Sequence, residues 1–231
     1  VKIDTWKNAA LLLCGLWVAP QLAGAAGAGL CEHGRRQSPI NIVAPVRKVL
    51  PSIEFQYQEA PLKLANDGHT VRVRFANASH LRVGKERYAL QQFHFHTPGG
   101  ERIAGQEFDM AAHLIHKSKA GHLVVVVVLF QKGAENALLA ALWPKIPLQV
   151  DGDHALSDLR VNAARLLPAK RAYYSYEGSL TGAPCTEGVT WLVMKQPLEL
   201  SADQLARYKS IFTDNARPVQ PLNGRVVAES L

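Results

Sequence analysis

Residues 123–130 read LVVVVVLF, an unbroken run of apolar, mostly β-branched side chains. Branching at Cβ stiffens χ1 and favours a strand over a helix. A strand turns successive side chains to opposite faces, so a run with no polar position is buried on both. The run is too short to cross a membrane, which takes roughly 20 residues as a helix. The chain must therefore be built around a sheet with this segment at its centre.

Neighbouring segments supply the rest of that sheet. Residues 71–75 (VRVRF) alternate apolar and basic side chains, as a half-exposed strand does, and follow the turn signal Asn66, Asp67, Gly68. Residues 90–96 and 108–116 predict two further strands, joined by the Gly-rich polar connection TPGGERIAGQE. Residues 191–194 predict another buried strand. Helices are fewer: one over 135–142, stopped by Pro144; one over 157–167, with Ser157 as N-cap and Pro168 beyond it; and one opened by Ser201, with Gln204 at capping-box spacing, through about Phe212. No linker, repeat or low-complexity segment follows Cys31. The expectation is a mostly β fold with peripheral helices (α+β), a single domain around a large, mainly antiparallel, twisted central sheet.

The first thirty residues are of another kind. Lys2 and Lys7 precede an apolar run from Ala9 to Ala19, and the small-residue stretch QLAGAAGAG follows. This order predicts a signal peptide or leader over 1–28 and a domain over 29–231. No membrane anchor is expected after its removal, and the mature chain is placed in the periplasm or outside the cell. Cys14 would leave with the leader. Cys31 and Cys185 remain, an even pair in an exported chain, which predicts a disulfide; two free buried thiols are the alternative. The net charge of +7 is scattered, with no dense Lys/Arg run, so a basic surface is expected and not a nucleic-acid site.

Residues 92–98 read QFHFHTP. On a strand, His94 and His96 share one face while Phe93 and Phe95 share the other. One face packs, and the other presents two imidazoles within reach of a single ion. If the 108–116 strand pairs antiparallel with this one, His113 looks into the same space. His116, three residues on, points the opposite way and is expected to be a hydrogen-bonded core residue. His33, His80, His122 and His154 sit in turn or loop contexts and are expected at the surface. Three neutral imidazoles suit Zn²⁺ and leave its fourth tetrahedral position open, as catalytic zinc sites do. With no anionic ligand, the metal would keep its full charge and acidify a bound water.

Six motifs occur in order: QSPINI (37–42), NDGHTV (66–71), QFHFH (92–96), AHLIH (112–116), YSYEGSLTGAPCTEGVTW (174–191) and NARPVQPLNGR (215–225). The set resembles the α-class carbonic anhydrases, especially the exported bacterial ones, over about residues 31–231. The resemblance implies reversible hydration of carbon dioxide to bicarbonate and a proton, with Zn²⁺ on His94, His96 and His113. It implies that Thr181 accepts a hydrogen bond from zinc-bound hydroxide and donates one to Glu101; a hydroxyl can do both and a carboxylate only accepts. It implies that His69, in NDGHTV, shuttles the proton, a task suited to the titration range of histidine. Ile115, Val125, Leu180, Thr181, Gly182 and Trp191 would surround the substrate. Gln92 and Asn215 would hold the ligands from behind. The family's disulfide matches Cys31 to Cys185, and Ser38-Pro39 and Ala183-Pro184 match places where it has cis peptide bonds. Bacterial relatives are often dimers, so a homodimer stays open.

The sequence departs from the pattern in two places. Much of the family has a glutamate two residues before the third ligand, which orients that ring. Here the position is Ala111. Loss of such a partner typically costs about 10–100-fold in metal affinity or activity, so weaker zinc retention is expected, with a water or backbone carbonyl as substitute. The Trp/Tyr/Gly-rich segment usual between the signal and the first cysteine is also missing. Two other readings compete: a catalytically impaired carbonic-anhydrase-like binding protein, and another zinc hydrolase such as an esterase. The complete ligand trio with Thr181 and Glu101 argues against the first. The narrow apolar wall and the missing nucleophile–base pair argue against the second.

Overall fold

The valine run forms strand Leu123–Lys132, and every residue from Val124 to Phe130 is buried. It pairs antiparallel with Met110–Ser118 on one side and parallel with Glu187–Met194 on the other. The computed structural model describes residues 25–76 and 78–231. Residues 1–24 of the expected leader lie outside the described residues, and helix Ala25–His33 opens the described chain.

The main sheet runs in the order Asp151–Val161, Ala60–Asn66, Val71–Arg74, Glu86–His96, Met110–Ser118, Leu123–Lys132, Glu187–Met194, Tyr173–Ser179, Ala228–Ser230, Val46–Lys48. Ile53–Gln56, His80–Val83 and Leu198–Leu200 add to it, while Asn41–Ile42 and Arg102–Ile103 pair as a separate ribbon. Most neighbours are antiparallel. Parallel pairs in the main sheet join Leu123–Lys132 to Glu187–Met194 and to Leu198–Leu200, and Val46–Lys48 to Ala228–Ser230.

Strand alternation divides the interior into two cores. Phe93, Phe95, Leu114 and Val126 pack on one face with Leu139, Trp143 and Tyr208 from the helical side. Val125, Val127, Trp191 and Val193 pack on the other with Ile40 and Ile42. Burying each such side chain is worth roughly 1.5–3 kcal/mol, so the sheet is held by packing on both faces. One close approach needs a glycine: a Cβ on Gly178 would lie 2.1 Å from Ser38 Oγ and 2.9 Å from Trp191 Cδ1.

Two helices form where the sequence places them. Asn136 caps Ala137–Leu142, its Oδ1 accepting from Leu138 and Leu139 N–H. Ser201 and Gln204 form the full capping box of Ala202–Lys209. That helix ends before Phe212, whose N–H bonds Tyr208 O in a closing turn. The helix expected over 157–167 is absent. Asp151–Val161 is a strand paired antiparallel with Ala60–Asn66, and Ala163–Leu166 is a short 3-10 turn capped by Asn162. The edge of Ala60–Asn66 offers this segment a ladder of backbone hydrogen bonds, and tertiary pairing of that kind overrides a weak local helix preference. Among the described residues, no helix is long and apolar enough to cross a membrane.

Buried imidazoles give the fold a pH dependence. His116 is fully buried, as expected for the face opposite His113, with the Tyr57 hydroxyl 2.8 Å from its Nε2. Burial pushes its pKa down to about 3. The unfolded chain takes up this proton near pH 6.5, so the site has no effect on stability at higher pH. Between there and about pH 3 stability falls as pH falls, because the unfolded chain binds a proton that the buried ring does not. His116→Gln is expected to flatten the fall of the urea midpoint between pH 6.5 and 4 by about one proton. An unchanged slope would contradict this assignment.

Candidate metal centre

Pairing register brings the three histidines together. Gln92, His94 and His96 on strand Glu86–His96 stand opposite Ile115, His113 and Ala111 on Met110–Ser118. Opposite residues of an antiparallel pair share a face. A bulge between Leu90 and Gln92 sets this phase. Before it, Leu90 pairs with His116 in the helix-side core; after it, Phe93 and Phe95 stay in that core while the glutamine and both histidines turn to the other side.

The ring centroids of His94, His96 and His113 lie 4.4–5.4 Å apart, and one nitrogen from each falls within 4.8 Å of the others. His94 donates Nδ1–H to Gln92 Oε1 at 2.9 Å, and His96 donates Nδ1–H to the Asn215 carbonyl at 3.2 Å. These bonds leave both Nε2 lone pairs free, and His96 Nε2 is buried with no protein partner. Burial holds all three rings neutral: His94 falls well below the usual histidine value, and His96 and His113 fall to about 3. Neutral nitrogens converging within reach of one point, with an orphaned Nε2 among them, fit a zinc ion.

Nearly all the residues singled out from the sequence line one cavity of about 820 Å³. The ligands and Gln92 form one side, with Ile115, Val125, Leu180 and Trp191 as an apolar wall beside them. Thr181, Gly182 and Asn215 also line it, and His69 stands exposed at its rim. Asn215 does more than support one ligand. Its Nδ2 donates to His69 O at 2.7 Å and Phe95 O at 3.1 Å, and its Oδ1 accepts from Thr97 N–H at 2.8 Å. The Cys31–Cys185 disulfide is present, and both Ser38-Pro39 and Ala183-Pro184 are cis.

Glu101 is the exception to the common lining. It is 1% exposed and sits behind His113, with the Tyr176 hydroxyl donating to its Oε1 at a long 3.3 Å. Burial raises its pKa to about 7. Among the described residues no hydrogen bond joins it to Thr181, so the expected Thr181–Glu101 bond is not formed here. One carboxylate oxygen faces Tyr176 and the other faces His113.

Two contributors escaped the sequence reading. Arg72, read as a solvent-facing strand residue, pairs with His94 across the strands, lines the cavity and forms an ion pair with Asp67. The signal was present in alternation, which puts Arg72 on one face, but choosing that face needs the register. Tyr176, lost inside a long motif, links Glu101 to Ser38 Oγ.

An open three-histidine group beside an apolar wall on one face of a mixed sheet could hold a metal ion and leave a position for a small ligand. Comparison with known proteins makes the class particular. The family described as eukaryotic-type carbonic anhydrase matches residues 25–231. A carbonic anhydrase of Klebsiella pneumoniae is 42% identical over 203 residues, 86% of this chain and 82% of that protein. One from Nostoc is 40% identical over 207 residues, 87% of this chain and 78% of that protein. The α-carbonic anhydrase of Thermovibrio ammonificans, solved with the inhibitor sulfanilamide, superposes with a TM-score of 0.83 at 37% identity, covering 87% of this chain and 90% of that one. The chain belongs to the α-carbonic anhydrase family.

Proposed function

We propose that this protein is a zinc-dependent carbonic anhydrase, interconverting carbon dioxide and water with bicarbonate and a proton. The carrying observation is the neutral His94, His96, His113 trio opening onto the apolar wall of the cavity. Bound there, zinc supplies a water acidified toward neutrality, the property for which carbonic anhydrase is the standing example. The protein's own groups do the rest. Gln92 and the Asn215 carbonyl fix two ring tautomers and so aim the Nε2 lone pairs. Val125, Leu180 and Trp191 hold an uncharged substrate and exclude bulk water from it. Thr181 lines the same space with its hydroxyl free of any protein hydrogen bond among the described residues, available to orient the attacking oxygen. His69, exposed at the rim, takes the released proton to buffer.

Stopped-flow CO₂ hydration tests this reading. The zinc-loaded protein is expected to turn over, and the metal-stripped protein is not. His69→Ala should lower kcat roughly 10- to 100-fold in dilute buffer, with KM unchanged and recovery in concentrated imidazole. Folded, zinc-loaded protein without activity would instead support the impaired binding protein, a reading favoured by the missing Thr181–Glu101 bond. Export to the periplasm or beyond is part of the proposal and is supported by the disulfide.

A further inference from the structure

The strand beside the first two ligands carries a cation. Val71–Arg74 pairs antiparallel with Glu86–His96, and Arg72 stands opposite His94. Opposite residues share a face, with Cβ atoms roughly 4.5–5.5 Å apart, and both residues line the one cavity. A guanidinium keeps its charge in a protein. Like charges repel, so Arg72 alone would work against three imidazoles that gather a metal cation.

One carboxylate answers that charge. Arg72 Nη2 donates to Asp67 Oδ2 at 2.5 Å, and the two side chains are 33% and 25% exposed. Arg72 Nε is buried with no hydrogen-bond partner, and among the described residues no second carboxylate forms an ion pair with this guanidinium. Asp67 is itself fixed, because its Oδ1 accepts His69 N–H at 3.0 Å and Thr70 N–H at 2.9 Å. The other charged residues lining the cavity are placed differently. Asp214 pairs with Lys209 in solvent, and Arg217 donates to Gln37 Oε1 and to the carbonyls of Ser38 and Cys31. Neither belongs to a strand paired with a ligand strand.

We propose that Asp67 is the counter-ion that keeps Arg72 from repelling the metal, so that the cavity wall beside His94 presents no net charge to a bound cation. The two residues then act on zinc with opposite signs: the carboxylate favours retention and the guanidinium opposes it. The inference rests on the zinc site proposed above.

Zinc release from the loaded protein to excess dipicolinate tests it. Asn at 67 keeps an acceptor for the two turn N–H groups and removes only the charge. Asp67→Asn is expected to release zinc about three- to tenfold faster than the parent at about 0.01 M salt, where the screening length is about 30 Å. Arg72→Gln should release it slower by a similar factor, and the double variant should return to within about twofold of the parent. Arg72→Lys, which keeps the charge, should behave as the parent. At about 1 M salt, where the screening length is about 3 Å, all four should converge. A pair that served only to brace the turn would give the same sign in both single variants, since each breaks the same contact. That result, parent-like release in both, or shifts undiminished in about 1 M salt would each overturn the inference. A folded parent that takes up no zinc would overturn the proposed function first, and this inference with it.

Discussion

His94→Ala is expected to give a folded protein that neither retains zinc nor hydrates carbon dioxide. The ring is only partly buried, and its burial opposes protonation, so removing it frees the fold from an acid-sensitive group. The cost falls on the metal. Four-ligand structural zinc sites bind with roughly 10–16 kcal/mol, so one ligand's share is about 3–4 kcal/mol, a loss on the order of 10²–10³-fold in affinity. Activity should fall with occupancy and further because a third neutral nitrogen no longer shapes the site. Circular dichroism should match the parent while zinc content after dialysis drops. A variant still holding one zinc per chain would place the metal somewhere other than between these histidines.

Cys31→Ser is expected to produce the largest loss of stability. The disulfide spans 154 residues of sequence. In the chain-entropy account, opening a loop that long costs roughly 5 kcal/mol, or about 10–20 °C in Tm for a chain of this size. Local contacts point the same way. Arg217 donates to Cys31 O at 2.7 Å, Gln37 Oε1 at 2.7 Å and Ser38 O at 3.0 Å, so the bridge helps fix the segment that carries Ser38 to Tyr176. Calorimetry without reductant measures the shift. A Tm equal to the parent's would refute the loop argument.

The parts of the site that follow alternation were legible. QFHFH announces two faces because a strand has a period of two, and LVVVVVLF announces a strand with no exposed face. His113 required an assumption about pairing, which the register meets. The bulge beside Gln92 could not be read, since no residue there marks it and its effect is a change of phase between two cores. Residues 157–167 misled because Ser157 and Pro168 suit a helix, while the competing partner, Ala60–Asn66, lies about ninety residues earlier. Glu101 was reached only through resemblance: a glutamate in a Gly-rich polar connection looks solvated, and its burial depends on a backbone turn and on Tyr176, seventy-five residues away.

Asn215 has a consequence for how the protein is made. It supplies the carbonyl that fixes His96, the amide that holds His69 in place and the acceptor for Thr97 N–H. During synthesis the three histidines emerge more than a hundred residues before it. Strand Val46–Lys48 likewise waits for Ala228–Ser230, its neighbour in the sheet. Pairings this distant in sequence form slowly, because the loop between them must be ordered first. A nascent chain can thus carry all three imidazoles without presenting a finished socket. A zinc ion bound by the three histidines would meet its final geometry only once residue 215 has joined the site.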